Sequence, residues 1–381
     1  MNILLYYPGI DLDLSIASST HVKGVINKLN YNKYKYLTIV NKVDKYIPNA
    51  FRLVKVGFNS YIPFETAISE ICSFFIVFIK KLEFDIIYQR ETILGTGLLL
   101  KLILDKKLVT EVNGIIIDEL TETVDKKKRI FSRPLIFLNK LQIRKSDIVI
   151  AVSDDVKKKI MQYYNIPSKN IRVIENGVDI DVFKPMEMAE CQKKLKLTLG
   201  YVYVIYVGSL EYWQRVDKLL DVMELIKSKR TDVKMLIVGD GPEMNKLKYM
   251  AEDKKISDVI SFMGRIEHEK IPLYINASSI CVAPFKSSRS ASPLKLFEYM
   301  ACGKAVIGHN ICFPCTNGII LDVDVSQPTI FADKIEYLLD NQNIRCELAH
   351  KGLNYVVNNS TWSMVAQKIE NIFEEVYNSE K

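Results

Sequence analysis

Between residues 290 and 303 the chain reads S-A-S-P-L-K-L-F-E-Y-M-A-C-G, which sets one ammonium, Lys295, and one carboxylate, Glu298, about a helical turn apart behind a Pro-containing loop. A helix start leaves backbone N–H groups unpaired and carries partial positive charge, so the turn at Ser292, Pro293 and Leu294 can hold phosphate oxygens. Lys295 adds a full positive charge there. Glu298, when ionised, only accepts hydrogen bonds and can take both hydroxyls of a ribose. Together they describe a pocket for a sugar nucleotide. A capped surface helix with both side chains solvated would carry the same residues, so the rest of the chain must decide.

Four more segments of the second half point the same way. Gly208-Ser209-Leu210 follows an apolar run ending at Val207 and brings backbone within reach of a diphosphate, with Gln214 and Arg215 close behind. V-G-D-G-P-E contributes Gly239 and Gly241. F-M-G-R-I contributes Gly264, Arg265 and Ile266, whose exposed backbone can read a base. Ala283-Pro284-Phe285 precedes the loop at Ser290. Each lies at the carboxyl end of a predicted strand, where open α/β sheets bind ligands.

The elements that must position these residues alternate throughout. Apolar β-rich runs at 3–7, 36–40, 85–88, 108–111, 148–152 and 171–174 predict strands, with helices beginning near His21, Pro63, Ile93, Pro134 and Asp154. The second half repeats the pattern with strands at 202–207, 233–238, 260–263, 280–283 and 305–308. Helices are predicted over 217–227, after Pro242, from Ile271 and over 294–302. The outcome is two Rossmann-like halves, 1–180 and 181–360, joined near Asn176-Gly177, a pair that tolerates positive φ. Residues 361–381 form a closing helix with apolar positions at Trp362, Val365, Ile369, Ile372, Phe373 and Val376.

Composition excludes several classes. A chain of 381 residues exceeds one core, and 48% hydrophobic with 25% charged residues is ordinary for a globular protein. Its longest strongly apolar run, 71–79, is far short of the ~20 residues needed to span a bilayer. Seven scattered cysteines point to a reducing compartment, and hence to a cytoplasmic protein; Cys312 and Cys315 form a C-x-x-C with no second pair, read as loop or core thiols. The net charge of +7 concentrates around Lys126, Lys127, Lys128, Arg129, Arg133, Lys140, Arg144 and Lys145, interleaved with apolar residues. Such a stretch suits an anionic membrane surface, or a core-facing helix with a solvated basic side. No nucleic-acid module accompanies it.

The segments G-S-L-E-Y-W-Q-R-V-D, V-G-D-G-P-E, F-M-G-R-I, S-P-L-K-L-F-E-Y-M-A-C-G-K, A-V-S-D-D-V and E-N-G-V-D resemble, in order and spacing, glycosyltransferase family 4. The resemblance covers essentially the whole chain. It implies the α/β GT-B fold: two Rossmann-like domains facing a central cleft, with the C-terminal helix crossing back to pack on the first. It also implies a retaining hexosyltransferase in which Glu298 holds the donor ribose, and Lys295 with the 292–294 backbone holds the diphosphate. Residues 264–266 would flank the base, with Gln214 and Arg215 near the phosphates. No metal or other cofactor is implied, because fixed cations and N–H groups stabilise the leaving group.

Three positions depart from that pattern. Ser290 stands where many members place an acidic residue, Ser209 and Gln214 replace an Arg and a Lys, and Asn113, after Glu111, occupies the place of a cleft His. In the first half Ser19 and His21 open a helix, and Arg90 and Glu111 end strands; these four are candidates for the acceptor. The expected partners are a nucleotide-sugar donor, a glycan or lipid-linked acceptor and an anionic membrane face, but not nucleic acid. A catalytically silent GT-B subunit and a sugar-nucleotide epimerase are the alternative readings.

Overall fold

The computed structural model describes residues 1–12, 17–42, 50–52, 62–115, 129–285, 293–309 and 318–379. Ser290, Ser292, Lys126, Lys127, Lys128, Cys312 and Cys315 lie outside these ranges. The chain divides into two units. The first comprises Met1–Asn176 with Trp362–Lys381, and the second Gly177–Arg289 with Pro293–Thr361.

In the first unit the chain order is β1 (Asn2–Asp11), α1 (Ala17–Ile26), β2 (Lys35–Lys42), β3 (Ala50–Arg52), α2 (Ile62–Ile79), β4 (Ile86–Arg90) and α3 (Thr96–Leu104). It continues with β5 (Lys107–Val112), α4 (Arg129–Lys145), β6 (Ile148–Ala151), α5 (Asp154–Tyr164) and β7 (Ile171–Val173). The strands form one parallel sheet in the order β3-β2-β1-β4-β5-β6-β7. Strand order reverses between β1 and β4, so the loops after these strands diverge and leave a crevice at the carboxyl edge. Near-continuous apolar strands suit a sheet covered on both faces, and Leu4, Tyr6, Ile39, Ile87 and Leu108 are buried in its core.

The second unit runs α6 (Met188–Lys194), β8 (Val202–Val207), α7 (Val216–Lys229), β9 (Val233–Val238), α8 (Met244–Asp253), β10 (Ile260–Gly264) and α9 (Ile271–Asn276). It then adds β11 (Ile280–Ala283), α10 (Leu294–Ala301), β12 (Ala305–Gly308), β13 (Leu321–Asp322), α11 (Pro328–Asp340) and α12 (Gln342–Asn359). Its parallel sheet is ordered β10-β9-β8-β11-β12-β13, with the reversal between β8 and β11.

Helix α13 (Trp362–Asn378) returns to the first unit. Its six apolar positions are all buried. Glu370 accepts the Asn30 N–H at 2.6 Å and the Tyr36 hydroxyl at 2.7 Å, and Glu374 takes Lys33 at 2.5 Å. Trp362 packs on α1 so closely that a Cβ on Gly24 would lie 2.3 Å from the indole.

Two helix starts differ from expectation. The helix placed near His21 begins at Ala17 because Ser19 turns inward and donates to the Asp11 carbonyl at 2.5 Å, fastening the first turn to the end of β1. The helix placed at Pro134 begins at Arg129, with the proline inside it, where a missing N–H and ring clash ordinarily stop a helix.

The Gly24–Trp362 contact makes a prediction. Ala is the better helix former by about 1 kcal/mol, yet overpacking a rigid ring costs about 1–3 kcal/mol. Gly24→Ala is therefore expected to lower the melting temperature, and Gly24→Ala with Trp362→Leu to recover it. A Gly24→Ala chain that melts higher would show that the ring yields.

Candidate functional site

In the second unit the loops after β8 and β9 meet at the carboxyl edge of the sheet. At the end of β8, Gly208 adopts φ 149°, and a Cβ there would come within 2.4 Å of the Lys295 Nζ and 3.0 Å of the Tyr206 hydroxyl. Gly239 follows β9 with φ 138°, where a Cβ would strike the Gly208 carbonyl at 1.9 Å. The first glycine thus leaves room for the lysine and the second for the first glycine's backbone. Gly241 packs in the same way on the Leu210 backbone.

Helix α10 supplies the polar side chains. Lys295 and Glu298 are both buried, which rules out the solvated surface helix. The Lys295 Nζ lies 4.2 Å from the Tyr206 ring centroid and 5.2 Å from that of Phe285, and donates to Gln214 Oε1 at 3.0 Å. Tyr206 also donates to Gln214 (3.1 Å) and to the Ser209 carbonyl (2.8 Å). Tyr299, one residue beyond Glu298, takes the Val207 N–H at 2.7 Å and pins the helix to the end of β8. Burial pushes the Lys295 ammonium down to about 7, against the pull of Glu298. The enclosure thus works against the full charge expected of Lys295.

Glu298 has a partner that sequence reasoning missed. His268 Nε2 lies 2.8 Å from Glu298 Oε1, and its ring packs on Phe183 with centroids 5.0 Å apart. His268 begins a short turn, His268–Lys270, two residues past the F-M-G-R-I segment. The signal available was a rare residue, one of four histidines in the chain, just beyond a strand's carboxyl end.

Other candidates are placed less centrally. Arg215 caps α7 in a left-handed conformation and pairs with Asp217 at 3.3 Å. Gly264 ends β10 with φ 69°, Arg265 is exposed, and Ile266 is half-buried against the core. Pro293 caps α10 and Leu294 is its first residue.

In the first unit, four candidates meet at the carboxyl edge beside the strand reversal. Glu111, on β5, receives His21 Nε2 at 2.9 Å, the Tyr88 hydroxyl and the Asn113 amide, and Arg90 Nε stands 3.8 Å away. The other His21 nitrogen meets Asn176 Oδ1 at 2.7 Å, and Trp362 packs edge-on at 5.3 Å. Arg90 also donates to the Ser18 carbonyl at 3.3 Å. Burial alone would raise the Glu111 carboxyl, but His21 and Arg90 outweigh it and hold it at about 2. Glu111 thus serves as an ionised hub, and Asn113 is one of its supports. Ser19 requires correction as an acceptor contact. It is fully buried and its hydroxyl is spent on the Asp11 carbonyl.

Because Glu111 titrates lower when folded than when unfolded, its contribution is fully present above about 4.5 and lost as pH falls toward 2. Glu111→Gln is therefore expected to melt below the parent at pH 7, with the gap closing through that window. An unchanged gap at low pH would remove the charge argument.

The description Glycosyltransferase Family 4 matches residues 19–182 and Glycosyl transferases group 1 matches residues 188–371. An uncharacterized glycosyltransferase of Methanocaldococcus jannaschii is 26% identical over 78% of this chain and 77% of its own length. An alpha-monoglucosyldiacylglycerol synthase of Streptococcus pneumoniae is 27% identical over 46% of this chain and 40% of its own. The sucrose-phosphate synthase of Thermosynechococcus elongatus superposes with a TM-score of 0.82 at 19% identity, covering 99% and 98% of the two chains. By these matches and its two parallel sheets, the chain belongs to the group 1, family 4 glycosyltransferases of GT-B fold.

Proposed function

We propose that this glycosyltransferase moves a hexose, with retention, from a nucleoside-diphosphate sugar to a lipid-linked or cell-surface glycan acceptor. The observation that carries the donor half is the α10 pair: a buried lysine boxed by Tyr206 and Phe285, and a buried carboxylate one turn on. A lysine whose ammonium is disfavoured by burial gains most from an arriving dianion. A diphosphate at the α10 start and the Gly208 backbone would restore its charge and receive N–H donors that need no reorganisation. Glu298 takes the ribose hydroxyls, with Oε1 oriented by His268. As the glycosidic bond breaks, negative charge grows on the departing diphosphate, where Lys295 and the amides stand. The leaving phosphate accepts the acceptor's proton on the same face, so the reaction needs neither an enzymic nucleophile nor a divalent metal. The acceptor half is supported by a relative whose name specifies a diacylglycerol glycolipid.

The donor base is found by a thermal-shift screen across UDP-, GDP-, ADP- and TDP-sugars, since a ligand of the folded state raises its melting temperature. With the sugar nucleotide so identified, Glu298→Ala is expected to lower kcat/KM about 100-fold, as two hydrogen bonds to a charged group are lost. Recovered donor with inverted sugar stereochemistry would point to epimerisation, and no turnover of any donor to a silent subunit. His268→Ala is expected to narrow the preference for a ribonucleotide over its 2′-deoxy analogue. An undiminished preference alongside its loss in Glu298→Ala would deny His268 the orienting role.

Proton linkage gives a second test. A lysine held near 7 by burial is mostly unprotonated at pH 8.5, and a bound diphosphate raises its proton affinity. Nucleoside diphosphate binding at pH 8.5 is expected to take up close to one proton per site, read from titration heats in buffers of different ionisation enthalpy. Lys295→Met should abolish the uptake, and buffer-independent heats in the parent would contradict the reading.

A further inference from the structure

Helix α2 is built inside out. Its inward stripe carries Glu70, Ser73 and Val77, all buried, and Glu70 accepts the Ile93 and Leu94 N–H groups at 2.5 and 2.9 Å ahead of α3. Its outward stripe is Ile71, Phe75, Phe78 and Ile79, at i, i+4, i+7 and i+8, with exposures from 38% to 72%. Helix α3 packs beside it and turns out Leu99, Leu102 and Ile103, again on one helical stripe. Helix α4, on the far side of α3, adds Phe137 at 64% exposure. Three neighbouring helices thus hold eight of the sixteen exposed large apolar side chains among the described residues. Scattered exposure needs no explanation; its concentration on three neighbouring helices does.

The charge around this face is predominantly positive. Segments 71–83, 96–107 and 133–145 together hold nine Lys and Arg against two Asp and Glu, an excess equal to the +7 of the entire chain. Lys80, Lys81, Arg133, Arg144 and Lys145 are exposed there. No helix among the described residues is long and apolar enough to cross a membrane.

We propose that the α2–α3–α4 face docks on the surface of an anionic lipid bilayer. Its Phe, Ile and Leu side chains sink into the boundary between headgroups and acyl chains, and the lysines and arginines around them meet lipid phosphates. Charge selects this occupant over a second copy of the chain, because a two-fold contact would set the same basic residues against each other. The surface stands on its own observations; its service to the reaction rests on the lipid-linked acceptor proposed above. A docked face would hold the enzyme where such an acceptor is concentrated.

The test is sedimentation of the full chain with large vesicles of phosphatidylcholine alone or mixed with phosphatidylglycerol. Binding is expected to be about tenfold or more stronger on the anionic vesicles and to weaken with salt. Phe75→Ser with Ile79→Ser should lower it about tenfold on anionic vesicles. Lys80→Glu with Lys81→Glu, both on exposed positions, should reduce the preference for anionic lipid. Equal sedimentation with both vesicle types, or binding indifferent to both double variants, overturns the proposal. So does light scattering that shows a dimer dissolved by the Phe75/Ile79 variant without any vesicle binding. Donor cleavage in solution is measured separately. A chain that cleaves sugar nucleotide but ignores vesicles loses only the docking face, and one that docks but cleaves none loses only the proposed reaction.

Discussion

Burial of one ammonium among aromatic rings is the constraint around which the second unit is arranged. Lys295 has Tyr206 and Phe285 rings beside it and a neutral amide, Gln214, as its hydrogen-bond acceptor. A carboxylate in that position would satisfy the charge permanently and leave nothing for a ligand to complete. The neighbouring features follow from making room for this side chain: Gly208 lacks a Cβ where the Nζ lies, Gly239 lacks one where the Gly208 carbonyl lies, and Tyr299 ties α10 to the end of β8.

The first unit solves a different electrostatic problem. Glu111 is fully enclosed, and an isolated carboxylate there would take up a proton. His21, Arg90, Tyr88 and Asn113 surround it and keep it ionised. The Trp362 ring against His21 brings α13 into the same arrangement, and Glu370 and Glu374 secure that helix to the residues around β2. An active-site-like composition at a sheet edge therefore also does structural work, and Asn113 illustrates it: its amide completes the Glu111 shell.

Much of the architecture was legible because parallel strands buried on both faces are read as short apolar runs. Val202–Val207, Val233–Val238 and Ile280–Ala283 stand where those runs predict, and α5 begins behind the Ser153 cap whose side chain accepts the Val156 N–H. The three-residue β3 and two-residue β13 are too short to show a pattern. The start of α1 was displaced because a serine usually caps a helix from outside, while Ser19 bonds inward to Asp11.

The sequence by itself determined the parallel α/β organisation, the family, and the presence of Lys295 and Glu298 one turn apart on one helix, since each depends on local spacing. Only the tertiary structure decided what surrounds them. That Lys295 is boxed by rings from β8 and the β11 loop, that Glu298 meets His268 thirty residues away, and that α2 turns its apolar stripe outward all depend on which strand ends become neighbours. Proton affinity and exposure are set by those neighbours through burial and charge, which no one-dimensional pattern encodes.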